Sequence, residues 1–455
     1  MHIHFIGICG VAMSALAIAF HKKGYTVTGS DKGFYPPIST HLKEAGVQYY
    51  PGWHPEKMTA HGDPDLVIVG NVAGSKNPEW VYVQEQGVPY LSYPEALAKF
   101  FIQEHSIVCA GTYGKTTSTT LLSWIFLHAK RDPSYMFGGL IQTDLPAASI
   151  GTSDWSIVEG DEYKSARWDN RAKFYHYKPT HLLLTAVEWD HADVYPTEEL
   201  YMKAFEDLVD MIPENGLIVY SDLVPERIAN RIKKRDVKTI TYGATGDAAY
   251  SEATESLEGM QFTLTHAAGT SNMQTTLFGA HNAHNFTGCY ALAEAAGIDS
   301  ATIIEAIASF PGIKRRLERK PSAERIVFDD IAHSPAKATS TLKTLKSLAP
   351  GKLIAVFEPN TGNRQQEALP GYTDAFTDAD TVLIPRLTRV KQDPTKPTVL
   401  NGEELAEIIA KSHPNVLHIN DDEEVTKWIV TNAGKEDIVT FLGSHGFRGM
   451  IDSVL

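Results

Sequence analysis

The sequence predicts an α/β protein of three successive units, and three observations carry that reading. At 455 residues the chain exceeds what a single hydrophobic core serves. Short apolar runs of strand length alternate with stretches of helical period along most of it. At residues 7–13 and 111–117 such a run ends in a glycine turn that opens a helix, which is the strand–turn–helix order of nucleotide-binding sheets. We place the units at residues 1–100, 101–312 and 313–455.

The first unit opens with the strand "IHFIG", a helical stretch to Lys23 and the strand "YTVTGSD"; "DLVIVGN" at 65–71 reads as a later buried parallel strand. The turn "GICGVAM" keeps Gly7 and Gly10 of the dinucleotide fingerprint but has Cys9 and Ala12 where further glycines belong. It still permits close approach of a diphosphate, with Asp31 closing the second strand where a ribose carboxylate would sit. The departures favour a diphosphate ligand other than a nicotinamide.

The second unit begins with the strand "SIVCA" at 106–110, followed by "GTYGKTT" and a helix, "TTSTTLLSWIFLHA", expected to show apolar residues on one side. Free N–H groups and the dipole at such a helix start favour an anion. Lys115 would bridge outer phosphates and the Thr116 hydroxyl would sit on Mg²⁺. The usual first glycine of a phosphate loop is replaced by Cys109. Further strands follow in "WSIVEGDE", "HLLLTAVEWDH" and "GLIVYSD". Two of them end in acidic groups: Glu159, Asp161 and Glu162, then Glu188, Asp190, His191 and Asp193. Carboxylates and an imidazole at the carboxyl ends of strands suit Mg²⁺ held against phosphate, although solvated turn carboxylates would read the same way. Residues 244–278 alternate polar and apolar, as an antiparallel appendage would. "GAHNAHNFTGC" places His281, Asn282 and Asn285 at a helix start, either as a cap with two surface histidines or as a clamp on a base or ribose. The basic turn "GIKRRLERK" carries Lys314, Arg315 and Arg316 ahead of a third α/β unit with strands in "RIVFDDIAHSP", "KLIAVFEP", "DTVLIP" and "DIVTFLG".

Composition excludes several classes. Hydrophobic residues make up 43% and charged residues 21%, ordinary for a soluble globular chain. The formal charge of −14 argues against a nonspecific grip on nucleic acid. The apolar N-terminus has no basic leader and no run approaches the ~18 residues of a membrane span, so no membrane association is expected. Cys9, Cys109 and Cys289 fit neither a zinc spacing nor a disulfide framework and suit a reducing cytoplasm.

Taken in order, "GICGVAM", "TGSD", "AGTYGKTT", "EGDE", "EWDHADVY", "GAHNAHN", "GIKRRLE" and "DDIAHSP" run through essentially the whole chain and resemble the Mur ligase family. In that family the short G-T-x-G-K-[ST] loop is the normal ATP loop, so Cys109 is no defect. The resemblance implies a three-domain Mur ligase architecture: a Rossmann-like N-terminal domain for UDP-N-acetylmuramate, a P-loop central ATPase domain and a Rossmann-like C-terminal domain for the amine. It implies ATP and Mg²⁺ as cofactors and a cytoplasmic enzyme, monomeric or weakly homo-oligomeric, that forms an amide through an acyl phosphate. Carried over residue by residue, ATP falls to Gly111, Thr112, Gly114, Lys115, Thr116, Thr117, Asn282, Asn285 and Asp330. The metal falls to Thr116, Glu159 and His191, and the uridine nucleotide to Gly7, Gly10, Asp31 and Asn71. Catalytic charge falls to Lys115, His191, Arg315 and Arg316, and the acceptor to His333 and Arg364, in a third domain that should close over the centre.

Two departures bear on the acceptor: Ser334 stands where a second His is usual, and "FEPNTGNRQ" retains only Arg364 of the arginines typical of L-alanine-accepting members. Together with "DEYKSARWDNRAKFYHYKPTHLLL" they favour the tripeptide L-alanyl-γ-D-glutamyl-meso-diaminopimelate, a recycling substrate, over L-alanine. A more remote alternative is a nucleotide-sensing protein without catalysis, or an NAD-dependent enzyme, on a related scaffold. Lys203 reads as a surface lysine.

Overall fold

A computed structural model describes residues 1–189, 194–388 and 399–455. They form two compact units: residues 1–254, 261–276 and 280–311, and residues 255–260, 277–279 and 312–455.

The first unit opens on a five-stranded, all-parallel sheet. Its strand order is Gln48–Pro51, Thr26–Asp31, His2–Ile6, Leu66–Val69, Tyr90–Ser92. The two middle strands, His2–Ile6 and Leu66–Val69, are almost wholly buried, which is why they read as continuous apolar runs. The chain leaves His2–Ile6 in opposite directions across the sheet, so the carboxyl ends of these two strands mark a topological switch point, where such sheets open a ligand crevice. Gly7 and Gly70 follow those ends directly.

The ten-stranded sheet of the same unit has a parallel centre running Lys238–Gly243, Leu217–Ser221, His181–Leu184, His105–Ala110, Trp155–Gly160, Ser134–Met136. The expected β appendage is there as Ala248–Ser256, Gly259–His266 and Gly269–Thr275, neighbours in sequence and in the sheet. Their two-residue connections allow only antiparallel pairing.

The helix Lys115–His128 corrects one expectation. Instead of one apolar side, every residue from Thr116 to Ser123 is buried. The hydroxyls at these positions tolerate burial because they are satisfied within the helix: Thr119 Oγ1 donates to the Lys115 carbonyl at 2.9 Å, Thr120 Oγ1 to that of Thr116 at 2.7 Å, and Ser123 Oγ to that of Thr119 at 2.7 Å. The helix Ala280–Ala295 corrects another, since only His281 of its two histidines is at the surface. His284 is buried and shares a 2.8 Å hydrogen bond with Ser221 Oγ.

The second unit holds a six-stranded sheet in the order Glu318–Lys320, Ile326–Asp330, Ile438–Gly443, Leu353–Glu358, Thr381–Pro385, Val416–Ile419. All its pairs are parallel except the first. Ser334 caps the next helix, Pro335–Leu348, accepting from the Lys337 N–H, a structural use for the residue that replaces histidine. The three cysteines are free thiols. Among the described residues no helix is long and apolar enough to cross a membrane.

Two histidines, His181 half-buried and His284 buried, set an acid limit on stability. Burial, helped by neighbouring His105, lowers His181 to about 4, and burial also lowers His284. A folded-state pKa below the unfolded one means that protons bind the unfolded chain first, so stability present above pH 6.5 is lost as pH falls. Between pH 7 and 5 the His181 shift alone should remove roughly 1–2 kcal/mol. His181→Gln should flatten that slope in denaturant titrations run at each pH.

Candidate active site

The strand His105–Ala110 lies between Trp155–Gly160 and His181–Leu184, so three parallel carboxyl ends stand side by side. The loop 111–114 is pressed between them by glycine. At Gly111 φ is +135°, and a β-carbon there would stand 2.3 Å from Thr185 Oγ1 and 2.6 Å from the Ala186 carbonyl oxygen. At Gly114, with φ +80°, it would stand 2.6 Å from Asn285 Oδ1. Neither position admits a side chain. The loop is also bonded to the third strand end. The Thr112 N–H donates to the Ala186 carbonyl at 2.6 Å, the Thr112 hydroxyl meets the Glu188 carbonyl at 2.8 Å, and Thr185 Oγ1 donates to the Tyr113 carbonyl.

Gly114 caps the buried helix, so Lys115, Thr116 and Thr117 occupy its first turn. Lys115 Nζ donates to the Gly111 carbonyl at 2.5 Å and pairs with both carboxylate oxygens of Glu162, at 3.1 and 3.0 Å. The Thr116 hydroxyl is bonded to Glu159, which also accepts from the Gly138 N–H at 2.6 Å. Burial raises the Glu159 carboxyl above its ordinary value, against the opposing pull of Gly138, Thr116 and Lys115. Asp161 goes the other way: the ammonium of Lys173, and after it Lys115, lower its carboxyl despite burial. Asn282 and Asn285, three residues apart on one helix, are both buried, with Asn285 against Gly114.

These oxygen donors fit a hard cation. Thr116 Oγ1 and the half-buried Glu159 carboxylate could serve as two ligands beside the glycine loop, since Mg²⁺ takes few protein ligands with substrate oxygens completing its shell. Among the described residues no group of three or more His, Cys, Asp or Glu could hold a metal by itself. His191, expected as a ligand and catalytic group, lies outside the described residues, as do Asp190 and Asp193.

At the switch point of the other sheet, Gly7 has φ +89°, and a β-carbon on it would stand 2.6 Å from Val72 Cγ2, so the turn lies against the segment beginning at Asn71. Gly10 caps the first helix. Asp31 accepts from the Cys9 N–H at 2.8 Å and the Lys32 N–H at 2.7 Å, so its carboxylate braces the glycine turn. Asn71 is exposed, and its carbonyl accepts from Arg167 Nε at 3.1 Å. Below lies a buried polar floor: Glu79 accepts from Tyr50 Oη and the His54 N–H, both at 2.7 Å, and from Ser30, with His4 Nε2 at 3.6 Å.

In the second unit the predicted residues divide. Arg315, with φ +61°, points its guanidinium inward to Asp329 at 3.3 Å and to the carbonyls of Gly443, Ser444 and His445 at 2.5, 3.1 and 2.8 Å. It therefore locks a turn, and Arg316 is the exposed member of the pair. Asp330 is buried and accepts from the N–H groups of Leu317 and Ala332 at 2.6 and 2.8 Å, with burial raising its carboxyl. Arg364 also turns inward, donating to the carbonyls of Leu400 and Thr388, each at 2.8 Å. His333 Nδ1 meets the Ile331 carbonyl at 2.6 Å, and burial lowers its imidazole below the ordinary value.

Glu162, expected with Glu159 and Asp161 as a carboxylate suited to Mg²⁺, instead pairs with Lys115. The sequence assigned no site role to Lys173, Thr185 or Arg167, which become neighbours of the site through strand order and a hairpin.

Two stability effects follow. Gly111→Ala should cost at least about 2 kcal/mol in chemical denaturation, from backbone strain and the clash with Thr185 together. Glu159→Gln should raise the melting temperature at pH 7, because it removes a half-buried carboxylate whose raised pKa opposes ionisation in the folded state. That gain should shrink as the pH falls into the carboxylate range; a melting temperature lowered by the substitution would contradict the assigned direction.

Known proteins resemble this chain in sequence and in fold. The chain matches the Mur ligase family catalytic domain over residues 2–105, the Mur ligase middle domain over 109–293 and the Mur ligase glutamate ligase domain over 315–445. It is 34% identical to the UDP-N-acetylmuramate–L-alanyl-γ-D-glutamyl-meso-2,6-diaminoheptandioate ligase of Escherichia coli, across 79% of each chain. It is 30% identical to the UDP-N-acetylmuramate–L-alanine ligase of Bartonella henselae, across 97% of this chain and 93% of that one. Among solved structures, a murein peptide ligase from Psychrobacter arcticus superposes with TM-score 0.70 at 29% identity, covering 100% of this chain and 98% of the other. A UDP-N-acetylmuramate–alanine ligase from Thermotoga maritima shares the fold at TM-score 0.80 and 21% identity, with the same coverage. With its glycine cradle, its paired strand-end carboxylates and these three consecutive matches, the chain belongs to the Mur ligase family, whose members are ATP-dependent ligases.

Proposed function

We propose that this chain joins the carboxylate of UDP-N-acetylmuramate to the amine of L-alanyl-γ-D-glutamyl-meso-diaminopimelate, converting ATP to ADP and phosphate. Residues 1–100 would take the uridine nucleotide, 101–312 ATP and 313–455 the amine. The observation that carries the reading is the convergence of Lys115, Thr116 and Glu159 at adjacent strand ends, in the same compact unit as the Gly7–Gly10 turn. One carboxylate-bearing ligand and one triphosphate then have separate cradles on one unit.

An anion must attack an anion, so charge has to be neutralised before the carboxylate oxygen can reach the γ-phosphorus. Lys115 and the N–H groups of the first helical turn supply fixed positive charge to the phosphates. Thr116 and Glu159, with His191, would hold Mg²⁺, which when bound adds charge to the phosphate oxygens. Glu162 holds the Lys115 ammonium over the loop; Arg316, exposed on its own unit, would be the arginine of the basic turn that adds positive charge. Asn282 and Asn285 would contact the adenine side. In the second step the amine attacks the acyl carbon, phosphate leaves with the electron pair of the C–O bond, and the amine gives up a proton. The lowered imidazole of His333 stays neutral near pH 7, as a group that must not repel an ammonium or that accepts its proton should.

The tripeptide is preferred because the relative at 34% identity is named for it, whereas the L-alanine ligases stand at 30%. The second reading, an L-alanine ligase, draws on the greater span of that match, 97% of this chain. Incubation with ATP, Mg²⁺, UDP-N-acetylmuramate and either amine, followed by mass spectrometry, separates them: product from the tripeptide is expected, and product from L-alanine alone overturns the preference. ATP binding with no product from either would leave a nucleotide-binding protein without ligase activity. Lys115→Ala should reduce kcat about 100-fold or more in protein that remains folded by circular dichroism, with a lower melting temperature because the buried Glu162 carboxylate loses its partner. Full activity in that variant would sink the phosphate-loop assignment.

A further inference from the structure

A hairpin of the ten-stranded sheet's unit reaches across to the other sheet. Its strands, Lys164–Ala166 and Asp169–Ala172, pair antiparallel around the turn formed by Arg167 and Trp168. Both feet are fixed. At the base, Lys173 pairs with Asp161, and its N–H donates to the Tyr163 carbonyl at 3.1 Å. Near the tip, Asp169 accepts from Arg171 Nε and Nη2, at 3.0 and 2.8 Å, and meets His176 Nε2 at 3.0 Å.

The tip is docked on aromatic rings. Trp168 stacks on Trp80 with centroids 5.2 Å apart and planes 17° from parallel, and Tyr90 meets it edge-on at 5.4 Å. Trp80 belongs to the helix Pro78–Gln86, just beyond the switch-point segment of Asn71. Trp168 thus sets where Arg167 points, and Arg167 Nε donates to the Asn71 carbonyl at 3.1 Å. The two terminal nitrogens of Arg167 make no hydrogen bond or ion pair among the described residues, and the side chain is exposed. Val72, the next residue after Asn71, packs against Gly7, and Gly10 caps the first helix three residues on, so this half-anchored guanidinium is tied to the segment that borders the glycine turn.

We propose that Arg167 is a binding residue for the diphosphate of the sugar nucleotide, extending the functional reading above, on which it rests. An arginine held at Nε keeps a planar two-nitrogen fork, the geometry that matches a phosphate oxygen pair, and its orientation is settled before ligand arrives. The N–H groups at the Gly10 helix start would supply further donors to the same anion. The residue belongs to the segment that follows Glu159, Asp161 and Glu162, so the ATP-side strand end contributes directly to the hold on the carboxylate-bearing substrate.

The test is titration calorimetry of the full chain and of Arg167→Ala and Arg167→Lys, using UDP-N-acetylmuramate, UDP and uridine. Arg167→Ala should weaken UDP-N-acetylmuramate and UDP about 10-fold or more, leaving uridine affinity, the KM for ATP and the melting temperature unchanged; lysine should restore part of the loss. Unchanged UDP affinity in Arg167→Ala overturns the assignment, and so does an equal loss for uridine, which would mean a displaced hairpin instead of a lost phosphate contact. A wild-type chain that binds no uridine diphospho-sugar overturns the functional reading, and this assignment with it.

Discussion

The site depends on the absence of two β-carbons. Gly111 and Gly114 let a strand, its neighbour's carboxyl end and an incoming helix approach to distances that any side chain would block. Thr185 and Ala186 close on the first position and Asn285 on the second. Because the loop is squeezed from both sides, Lys115 and Thr116 start their helix at a fixed place relative to Glu159 and Glu162 on the adjacent strand end. A looser loop would leave the same residues in sequence without the same geometry, and catalysis by positioned charge tolerates little displacement.

Charge is then distributed with a visible cost. Glu159 is held half-buried where ionisation is disfavoured, while Asp161, two residues on, is stabilised as an anion by Lys173. Structural carboxylates in this fold have a cation or several N–H groups beside them, as Asp169 and Asp31 do. Glu159 has one N–H, one hydroxyl and the pull of the Lys115 ammonium, and its carboxyl stays raised all the same. A carboxylate whose ionisation is disfavoured next to the glycine loop is one that the proposed cation would stabilise.

The α/β class and nearly every long strand were legible in the sequence, because buried parallel strands write themselves as apolar runs. The cradle was legible too, since its chemistry needs Gly, Lys and Thr at adjacent positions. Burial on all sides of the helix Lys115–His128 was not, because threonine and serine hydroxyls that bond back along the helix look polar in sequence. Nor was the buried state of His284, whose partner Ser221 is on a distant strand. The arginines show the sharpest limit. A basic turn reads as a reservoir of free charge, yet Arg315 and Arg364 spend theirs on backbone carbonyls. Arg167, which no local pattern singles out, keeps part of its own open because an aromatic stack 5.2 Å across holds its hairpin in place.

The central claim is that the cradle passes a phosphoryl group to a carboxylate oxygen. Its most direct test is to run the reaction with UDP-N-acetylmuramate labelled with ¹⁸O in the muramoyl carboxylate and to weigh the inorganic phosphate released. Phosphate carrying one labelled oxygen is predicted, since the oxygen that attacks phosphorus must depart with it when the amine attacks the acyl carbon and displaces phosphate. Unlabelled phosphate, formed while the amide product accumulates, would contradict the account.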